Sequence, residues 1–266
     1  MQLPCMTEVY LFFEQIANNV LNVCKKYTFS NKYVIINIEK CTKKGIQESQ
    51  RGGHMEFRPS ADSEVDKWKE VQLVYNSVLR EVGTKLEILN DEFQHAHRYN
   101  PIEHVKLRLK TSESIVKKLK KYGYESTIEN MVQYVNDIAG IRVICSFTSD
   151  IYRIAEMLKN QSDVKVIAVK DYIKNPKPSG YKSYHLLVAV PIFLSDRTVD
   201  VKVEIQIRTV AMDFWATLEH KIHYKFEGEA PEHIEKELID CARMVSELDA
   251  KMLSLNEEVQ RIIDSR

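Results

Sequence analysis

The segment from Val201 to Lys225 constrains the fold more than any other part of the chain. Its first half, Val201-Lys-Val-Glu-Ile-Gln-Ile-Arg208, alternates strictly between apolar and polar residues. Because successive side chains of a strand point to opposite faces, this pattern predicts a strand with one buried face. After Thr209 the apolar residues recur four apart, from Val210 to Ile222, which predicts a helix that follows the strand directly.

Helical and strand patterns alternate along the rest of the chain. Apolar residues from Trp68 to Phe93 form one helical stripe, which predicts a long helix over about 62–97 that ends near Pro101. A second long helix is predicted beyond Pro231, where the apolar residues from Ile234 to Val259 are expected to cover the sheet or another subunit. Further strands are predicted at about 102–110, 137–145, 164–169 and 181–190, and further helices at 111–123 and 150–159. These elements indicate an α+β fold, a mixed β-sheet flanked by helices with a long helix near each end.

Composition limits the class of protein. Apolar residues make up 44% of the chain, enough for a core, and its 38 basic and 38 acidic residues cancel, so attraction of the whole molecule to membranes or nucleic acid is not expected. The five cysteines lack CxxC spacing and no segment resembles a membrane span or signal peptide, which predicts a reduced, zinc-free, cytoplasmic protein. Residues 1–54 lack a sustained amphipathic pattern, so we interpret them as an appendage, with Met55 as a candidate native start and 55–266 as the folded domain.

A cationic strand leads into a helix between residues 102 and 123. Three apolar side chains of the strand are predicted to point inward: Val105, Leu107 and Leu109. Four polar side chains point outward: His104, Lys106, Arg108 and Lys110. Thr111 opens the helix, so Ser114 lies among its free amides, Lys118 lies one turn beyond, and Gly123 ends it. Cationic strands are commonly solvated edges, but one that leads into such a helix start indicates a phosphate site.

A third strand begins at Asp137, and a carboxylate at the head of an apolar strand is costly unless it is solvated, paired or bound to a metal. Strict alternation places Asp137 and Arg142 on opposite faces, so a shared role requires a kink, which Gly140 allows.

A further strand is predicted to start at Tyr181, after a lysine-rich loop, with Tyr181, Ser183 and His185 on one face. Such a Tyr–His pair is more often a packed pair than a site. Taken together with basic groups from at least three segments, however, Asp137 and Glu204 suit Mg²⁺-dependent phosphate chemistry, because Mg²⁺ prefers one or two carboxylates plus phosphate oxygens.

Four segments resemble, in order, the synthetase motifs of RelA/SpoT homologues. They are Asn100-Pro-Ile-Glu-His-Val105 with Arg108-Leu-Lys110, Asp137-Ile-Ala-Gly-Ile-Arg142-Val, Asn175-Pro-Lys-Pro-Ser-Gly-Tyr-Lys-Ser-Tyr-His185, and Glu204-Ile-Gln-Ile-Arg-Thr209. The resemblance runs from about Ala61 to the C-terminus and is closest to small alarmone synthetases of the RelP type. It implies a nucleotidyltransferase-like fold, homotetramers, and Mg²⁺-dependent transfer of the β,γ-diphosphate of ATP to the 3′-hydroxyl of GDP or GTP. The products are AMP and ppGpp or pppGpp, the alarmones of the stringent response.

The resemblance also implies a role for each matching residue. On the ATP side, Arg108 and Arg142 flank adenine, and Lys110, Ser114 and Lys118 hold the phosphates. In the centre, Asp137 binds Mg²⁺, and Glu204 deprotonates the 3′-hydroxyl or helps to hold the metal. On the GDP or GTP side, Tyr181 stacks on guanine, Lys177 and His185 reach the phosphates, and Gln206 and Arg208 complete the set. Ser179 stands where many members have Asn.

Two other functions stay open at this point. One is a catalytically silent nucleotide- or RNA-binding module on the same fold, which the presence of both acidic residues argues against. The other is a nucleotidyltransferase that releases pyrophosphate, which would leave the strand after Gly180 unexplained. The products distinguish the reactions: AMP would indicate diphosphate transfer, whereas pyrophosphate would indicate a nucleotidyltransferase. The sequence contains no His-Asp hydrolase motif, so we expect no hydrolase activity, and we expect no requirement for nucleic acid. Regulation by RNA and the choice between GDP and GTP stay open.

Overall fold

A computed structural model describes residues 55–60, 62–97, 99–226 and 230–265. The appendage that we predict at residues 1–54 lies outside these ranges. The strands are β1 (Met55–Glu56), β2 (Ile102–Leu109), β3 (Ala139–Cys145), β4 (Lys165–Asp171), β5 (Tyr184–Phe193) and β6 (Thr198–Thr209). The helices are α1 (Glu64–His97), α2 (Ser112–Tyr122), α3 (Ile128–Tyr134), α4 (Thr148–Lys159), α5 (Val210–Lys225) and α6 (Glu232–Asp264). No helix within them is long and apolar enough to cross a membrane.

The strands form one sheet in the order β2-β3-β6-β5-β4, with β1 beside the first part of β6. β6 runs parallel to β1 and β3, whereas the β2–β3, β5–β6 and β4–β5 pairs are antiparallel. The predicted mixed sheet with long helices near both ends is therefore confirmed. The sheet is organised around β6, because β6 is the strand that pairs with both β3 and β5.

The core lies on the apolar face of β6. Val201, Val203, Ile205 and Ile207 are all buried there, as the alternation predicts. Helix α1 packs across β2, β3, β5 and β6, and α4 adds a second apolar surface. The buried residues of α1 include most of the predicted stripe, among them Val71, Tyr75, Val78, Val82 and Leu86. The opposite face of β6 carries Glu204, Gln206 and Arg208 and is left for the polar site.

One expectation about a buried apolar residue is wrong. Leu107 is 47% exposed because β2 is an edge strand and its side chain is covered on one side only. On α5, Phe214 is 60% exposed, whereas Met212, Trp215 and Ala216 are buried, and Trp215 and Ala216 pack with Ala242 of α6. On α6, only Ala242 and Asp249 are buried, so this helix covers little of the sheet, and the alternative that its apolar residues cover another subunit stays a prediction.

Candidate active site

A cleft of about 530 Å³ lies on the polar face of the sheet where β2, β3 and β6 meet. The strand register explains its lining. Arg108, Gly140 and Glu204 stand in one row across the three strands, and Lys106, Arg142 and Gln206 stand in the next. Lys110 and Asp137 close one end of the cleft. The fold thus brings together both predicted carboxylates and most of the residues assigned to the ATP side.

Asp137 lies at the centre of a small ionic cluster. One carboxylate oxygen is 2.9 Å from Nζ of Lys110 at the end of β2, and the other is 2.8 Å from Nζ of Lys118 on α2. Burial alone would raise the pKa of Asp137, but the hydrogen bonds from Lys118 and Lys110 outweigh it and lower that pKa. Asp137 is therefore ionised at neutral pH and fully paired, so its position at the head of an apolar strand is stable.

The start of α2 has the geometry that we predict from its sequence. Thr111 is the N-cap, and its hydroxyl oxygen accepts the backbone N–H of Ser114 at 3.3 Å. Gly123 ends the helix with φ of 79°, a left-handed conformation that glycine adopts without a steric cost. This turn places Lys118 against Asp137 and leaves Ser114 beside the first free amides of the helix.

Asp137 and Arg142 share the cleft without a kink. Asp137 lies in a turn before β3, so strand alternation does not apply to it, and the β2–β3 pairing is unbroken at Gly140. A Cβ placed on Gly140 would meet only the carbonyl oxygen of Arg108, at 3.8 Å. The expected kink at Gly140 is therefore wrong. The missing side chain instead leaves the floor of the cleft open between Arg108 and Glu204.

Glu204 is linked to the acceptor-side residues by a chain of contacts. Gln206 Nε2 donates to one carboxylate oxygen at 2.8 Å, and His185 Nδ1 lies 3.5 Å from the other. His185 Nε2 lies 2.9 Å from the Tyr181 hydroxyl. A histidine that carries its proton on Nδ1 satisfies both contacts, donating to Glu204 and accepting from Tyr181. Burial would raise the pKa of Glu204, but the contacts with His185 and Gln206 outweigh it and lower that pKa.

Arg208 is a buried supporting residue. It is 4% exposed, and four of the five N–H groups of its guanidinium donate to protein atoms. The acceptors are the Tyr181 hydroxyl at 2.5 Å, Gln206 Oε1 at 3.0 Å, Asp213 Oδ1 at 3.1 Å and Ser183 Oγ at 3.4 Å. The guanidinium is thus bonded to protein atoms, and the assignment of Arg208 to the acceptor nucleotide stays a prediction.

The loop before β5 is fixed by its glycine. β5 begins at Tyr184, so Tyr181 lies in this loop and not in the strand as expected. Gly180 has φ of 86°, and a Cβ on it would lie 2.5 Å from Cβ of Ala242 on α6. Lys177 Nζ is 4.6 Å from the centre of the Tyr181 ring. Lys177, Tyr181 and His185 thus form one cluster next to the cleft, joined to it through Glu204.

A larger cavity, of about 1100 Å³, lies between α1, α4 and α6. It contains none of the predicted site residues. Its buried carboxylate, Asp150, is already engaged by the Tyr99 hydroxyl at 2.6 Å and the backbone N–H of Phe147 at 3.2 Å. The smaller cleft is therefore the candidate active site, because it holds two cleft-facing carboxylates among converging cationic groups.

Comparisons with known proteins identify the family of this chain. Residues 107–229 match the family model described as a region found in RelA / SpoT proteins. The chain is 48% identical over 195 residues to GTP pyrophosphokinase YwaC of Bacillus subtilis (strain 168), an alignment that covers 73% of this chain and 93% of that protein. The chain belongs to the small alarmone synthetases of the RelA/SpoT family.

Solved structures place the fold in the same family. The crystal structure of small alarmone synthetase 2 from Bacillus subtilis aligns with a TM-score of 0.66 and 46% identity over 72% of this chain and 98% of that one. Small alarmone synthetase 1 from the same organism, bound to its product pppGpp, aligns with a TM-score of 0.68 and 36% identity over 73% of this chain and 98% of that one. The mixed sheet described above is the small alarmone synthetase fold.

The carboxylates of this synthetase suit a metal that is held partly by substrate. Among the residues that the structure describes, no group of three or more His, Cys, Asp or Glu side chains is arranged to hold a metal ion. Asp137 and Glu204 nevertheless both face the cleft, and a carboxylate offers about four lone-pair sites, so paired oxygens can still coordinate. Mg²⁺ is commonly bound by one or two carboxylates together with substrate phosphates, and this donor set fits that pattern.

Asp213 is the residue that sequence reasoning missed. Its carboxylate contacts both Arg142 and Arg208, yet in the sequence it is one acidic residue in the first turn of a helix. Acidic residues are common there because they complement the helix dipole, so its position gave no signal.

Gly140 provides a test of the cleft as the nucleotide site. We expect Gly140→Val to leave the fold intact, because the added side chain meets open space and valine favours strands, but to weaken binding of a non-hydrolysable ATP analogue at least tenfold. Gly140→Ala is the matched control and should lose much less affinity. Calorimetric titration and a melting curve measure the two effects. Normal affinity in the folded valine variant would place the nucleotide elsewhere.

Proposed function

We propose that this chain is a GTP pyrophosphokinase that transfers the β,γ-diphosphate of ATP to the 3′-hydroxyl of GDP or GTP. The observation that carries the proposal is the pairing of Asp137 with Lys110 and Lys118 in the same cleft as Glu204. A diphosphate donor needs cations and a metal-binding carboxylate at one place, and a hydroxyl acceptor needs a base beside them. Membership of the small alarmone synthetases supports the same reaction.

The donor side is formed by β2, β3 and the start of α2. We assign Arg108 and Arg142 to the two sides of adenine, since both line the cleft and guanidinium planes stack on aromatic rings. Lys110, Ser114 and Lys118 bind the ATP phosphates, with the free amides of α2 beside them. Asp137 and Glu204 hold Mg²⁺, which when bound neutralises charge on the phosphate oxygens.

Glu204 acts as the base. Its lowered pKa keeps it ionised at neutral pH, so it accepts the proton of the 3′-hydroxyl. The 3′-oxygen then forms a bond to the β-phosphorus of ATP. The bond between that phosphorus and the oxygen bridging to the α-phosphate breaks, and AMP leaves with the bridging oxygen. Lys110 and Lys118 stabilise the charge that is spread over the transferred group.

The acceptor side is formed by the loop before β5 and by β5 itself. Tyr181 offers a ring for guanine, and Lys177 and His185 lie close enough to it to reach the phosphates. Gln206 is shared, because it lines the cleft and also donates to Glu204. We assign Arg208 to holding Tyr181 and Gln206 in place.

Replacing either carboxylate tests the reaction. We expect Glu204→Gln to lower kcat by about 10²- to 10⁴-fold, because a positioned base contributes that much, and Asp137→Asn to behave similarly. Glu237→Gln, an exposed change on α6, is the control. Chromatography of the products should show AMP and ppGpp or pppGpp, with no pyrophosphate and no loss of added ppGpp. Near-normal turnover in either variant would remove that carboxylate from the mechanism, and pyrophosphate as product would favour a nucleotidyltransferase.

The contact between His185 and Glu204 predicts a change in pH dependence. This contact lowers the pKa of Glu204 against the effect of burial, so in His185→Gln that pKa rises and the base is protonated at higher pH. We expect the acid limb of the kcat/KM profile for the acceptor to move to higher pH. Lys177→Ala is the control, since it weakens acceptor binding without touching Glu204. An acid limb that stays in place in the His185 variant would contradict the assignment of Glu204 as the base.

We also propose that the protein is a homo-oligomer, a tetramer by family resemblance. Apolar residues on α6 recur four or three apart and are each roughly half exposed: Met244, Leu248, Met252, Leu255 and Val259. A stripe of this length on one helix is typical of a seam between subunits. The second copy would cover the apolar face that α6 does not bury on its own sheet.

A charge on this stripe should separate the subunits. We expect Leu248→Glu with Met252→Glu to reduce the mass measured by light scattering, because two buried carboxylates would be costly at the seam. Arg243→Glu, which reverses an exposed charge on a different face of α6, should keep the wild-type mass. A wild-type monomer, or an unchanged mass in the double variant, would contradict the proposal.

The domain boundary and location complete the proposal. We propose a synthetase domain over 55–266, since β1 pairs with β6 at Met55 and Glu56, and Phe57 is buried against Tyr75. Residues 1–54 would then be dispensable for synthesis. We place the reaction in the cytoplasm, where ATP and guanine nucleotides are available.

A further inference from the structure

One carboxylate oxygen bridges the two arginines of the site. Asp213 Oδ1 is 3.1 Å from Nη1 of Arg142 on β3 and also 3.1 Å from Nη1 of Arg208 on β6. The Asp213 side chain is only 14% exposed, and it does not line the cleft. It lies in the first turn of α5, which follows directly after the end of β6.

The two guanidiniums need this carboxylate. They lie on adjacent strands, two residues apart along the register, and both are at least partly withdrawn from water. Burial and then the positive charge of Arg208 lower the pKa of Arg142, and Asp213 opposes that shift. Without Asp213, two like charges would face each other in a region where water screens them poorly.

The two arginines serve different halves of the site. Arg142 lines the cleft where the proposed function places ATP. Arg208 donates to the Tyr181 hydroxyl and to Gln206, which the proposed function assigns to acceptor binding. A displacement of either guanidinium would therefore disturb the binding of a different nucleotide.

Asp213 is not required to start α5. The backbone N–H of Met212 already donates to the Thr209 hydroxyl oxygen at 3.1 Å, and that hydroxyl donates to Asp249 on α6 at 2.8 Å. The first turn of the helix is thus capped and anchored by other residues. The role of Asp213 is therefore to pair with Arg142 and Arg208.

We propose that Asp213 is a positioning residue that holds the donor and acceptor halves of the active site in place together, through Arg142 and Arg208. The assignment of each arginine to one nucleotide depends on the proposed function. The bridging contact predicts that one substitution outside the cleft weakens the binding of two unlike ligands.

Calorimetric titration of the full chain tests this directly. A non-hydrolysable ATP analogue and GDP are titrated separately into the wild type, Asp213→Asn, Arg142→Gln and Arg208→Gln. We expect Asp213→Asn to raise both dissociation constants, each by about tenfold, because hydrogen bonds between charged groups are lost. Arg142→Gln should weaken mainly the ATP analogue, and Arg208→Gln mainly GDP. Asp240→Asn, an exposed carboxylate paired with Arg243 on α6, should change neither constant.

Double variants distinguish positioning from a general loss of structure. Adding Asp213→Asn to Arg142→Gln should not weaken the ATP analogue further, and adding it to Arg208→Gln should not weaken GDP further. Additive losses, or an effect on one ligand only, would overturn the proposal. If Asp213→Asn does not fold, Asp213→Glu is tested in its place. Its carboxylate is one methylene longer, so it should also raise both dissociation constants. Unchanged dissociation constants would overturn the proposal. Because binding is measured without turnover, failure of the proposed reaction would appear separately as absence of product.

Discussion

The structure depends on the register of β6. This strand pairs with β3 on one side and β5 on the other, and its side chains alternate between the core and the cleft. A slip of one residue would turn Glu204, Gln206 and Arg208 into the apolar core and expose Ile205 and Ile207. The same alternation that buries the apolar face therefore places the proposed base. Stability of the sheet and placement of the site follow from one constraint.

Charges at the site are arranged in compensated groups. Asp137 has two ammonium partners, Glu204 has an amide and an imidazole, and Arg208 has its guanidinium distributed over four acceptors. Half-buried charges are tolerated when each is paired and hydrogen-bonded. These partners come from separate elements: the end of β2, α2, β5, β6 and α5. The site is therefore assembled by the fold as a whole, and its charges are paired within the protein.

The sequence predicts most of this arrangement, because the spacing of apolar residues and the short capping pattern are local properties that the folded chain keeps. The alternation in β6, the long stripe of α1 and the cap of α2 are local patterns, and each appears as predicted. Exposure of Leu107 and Phe214 could not be predicted, since it depends on which strand is at the edge and which helix packs on α5. The position of Asp137 could not be predicted from strand alternation, because Asp137 lies in a turn before β3. Asp213 escapes motif reading altogether, because its partners are distant in sequence.

The close approach between Gly180 and Ala242 restricts how relatives of this protein can vary. The loop that carries Tyr181 rests on α6 at the point where neither residue has a side chain beyond Cβ. A larger residue at either position pushes the loop and the helix apart, and glycine at 180 is additionally required by its positive φ. Homologues with a bulkier residue in place of Ala242 should therefore also show a changed loop length or a displaced C-terminal helix, so that the two segments vary together.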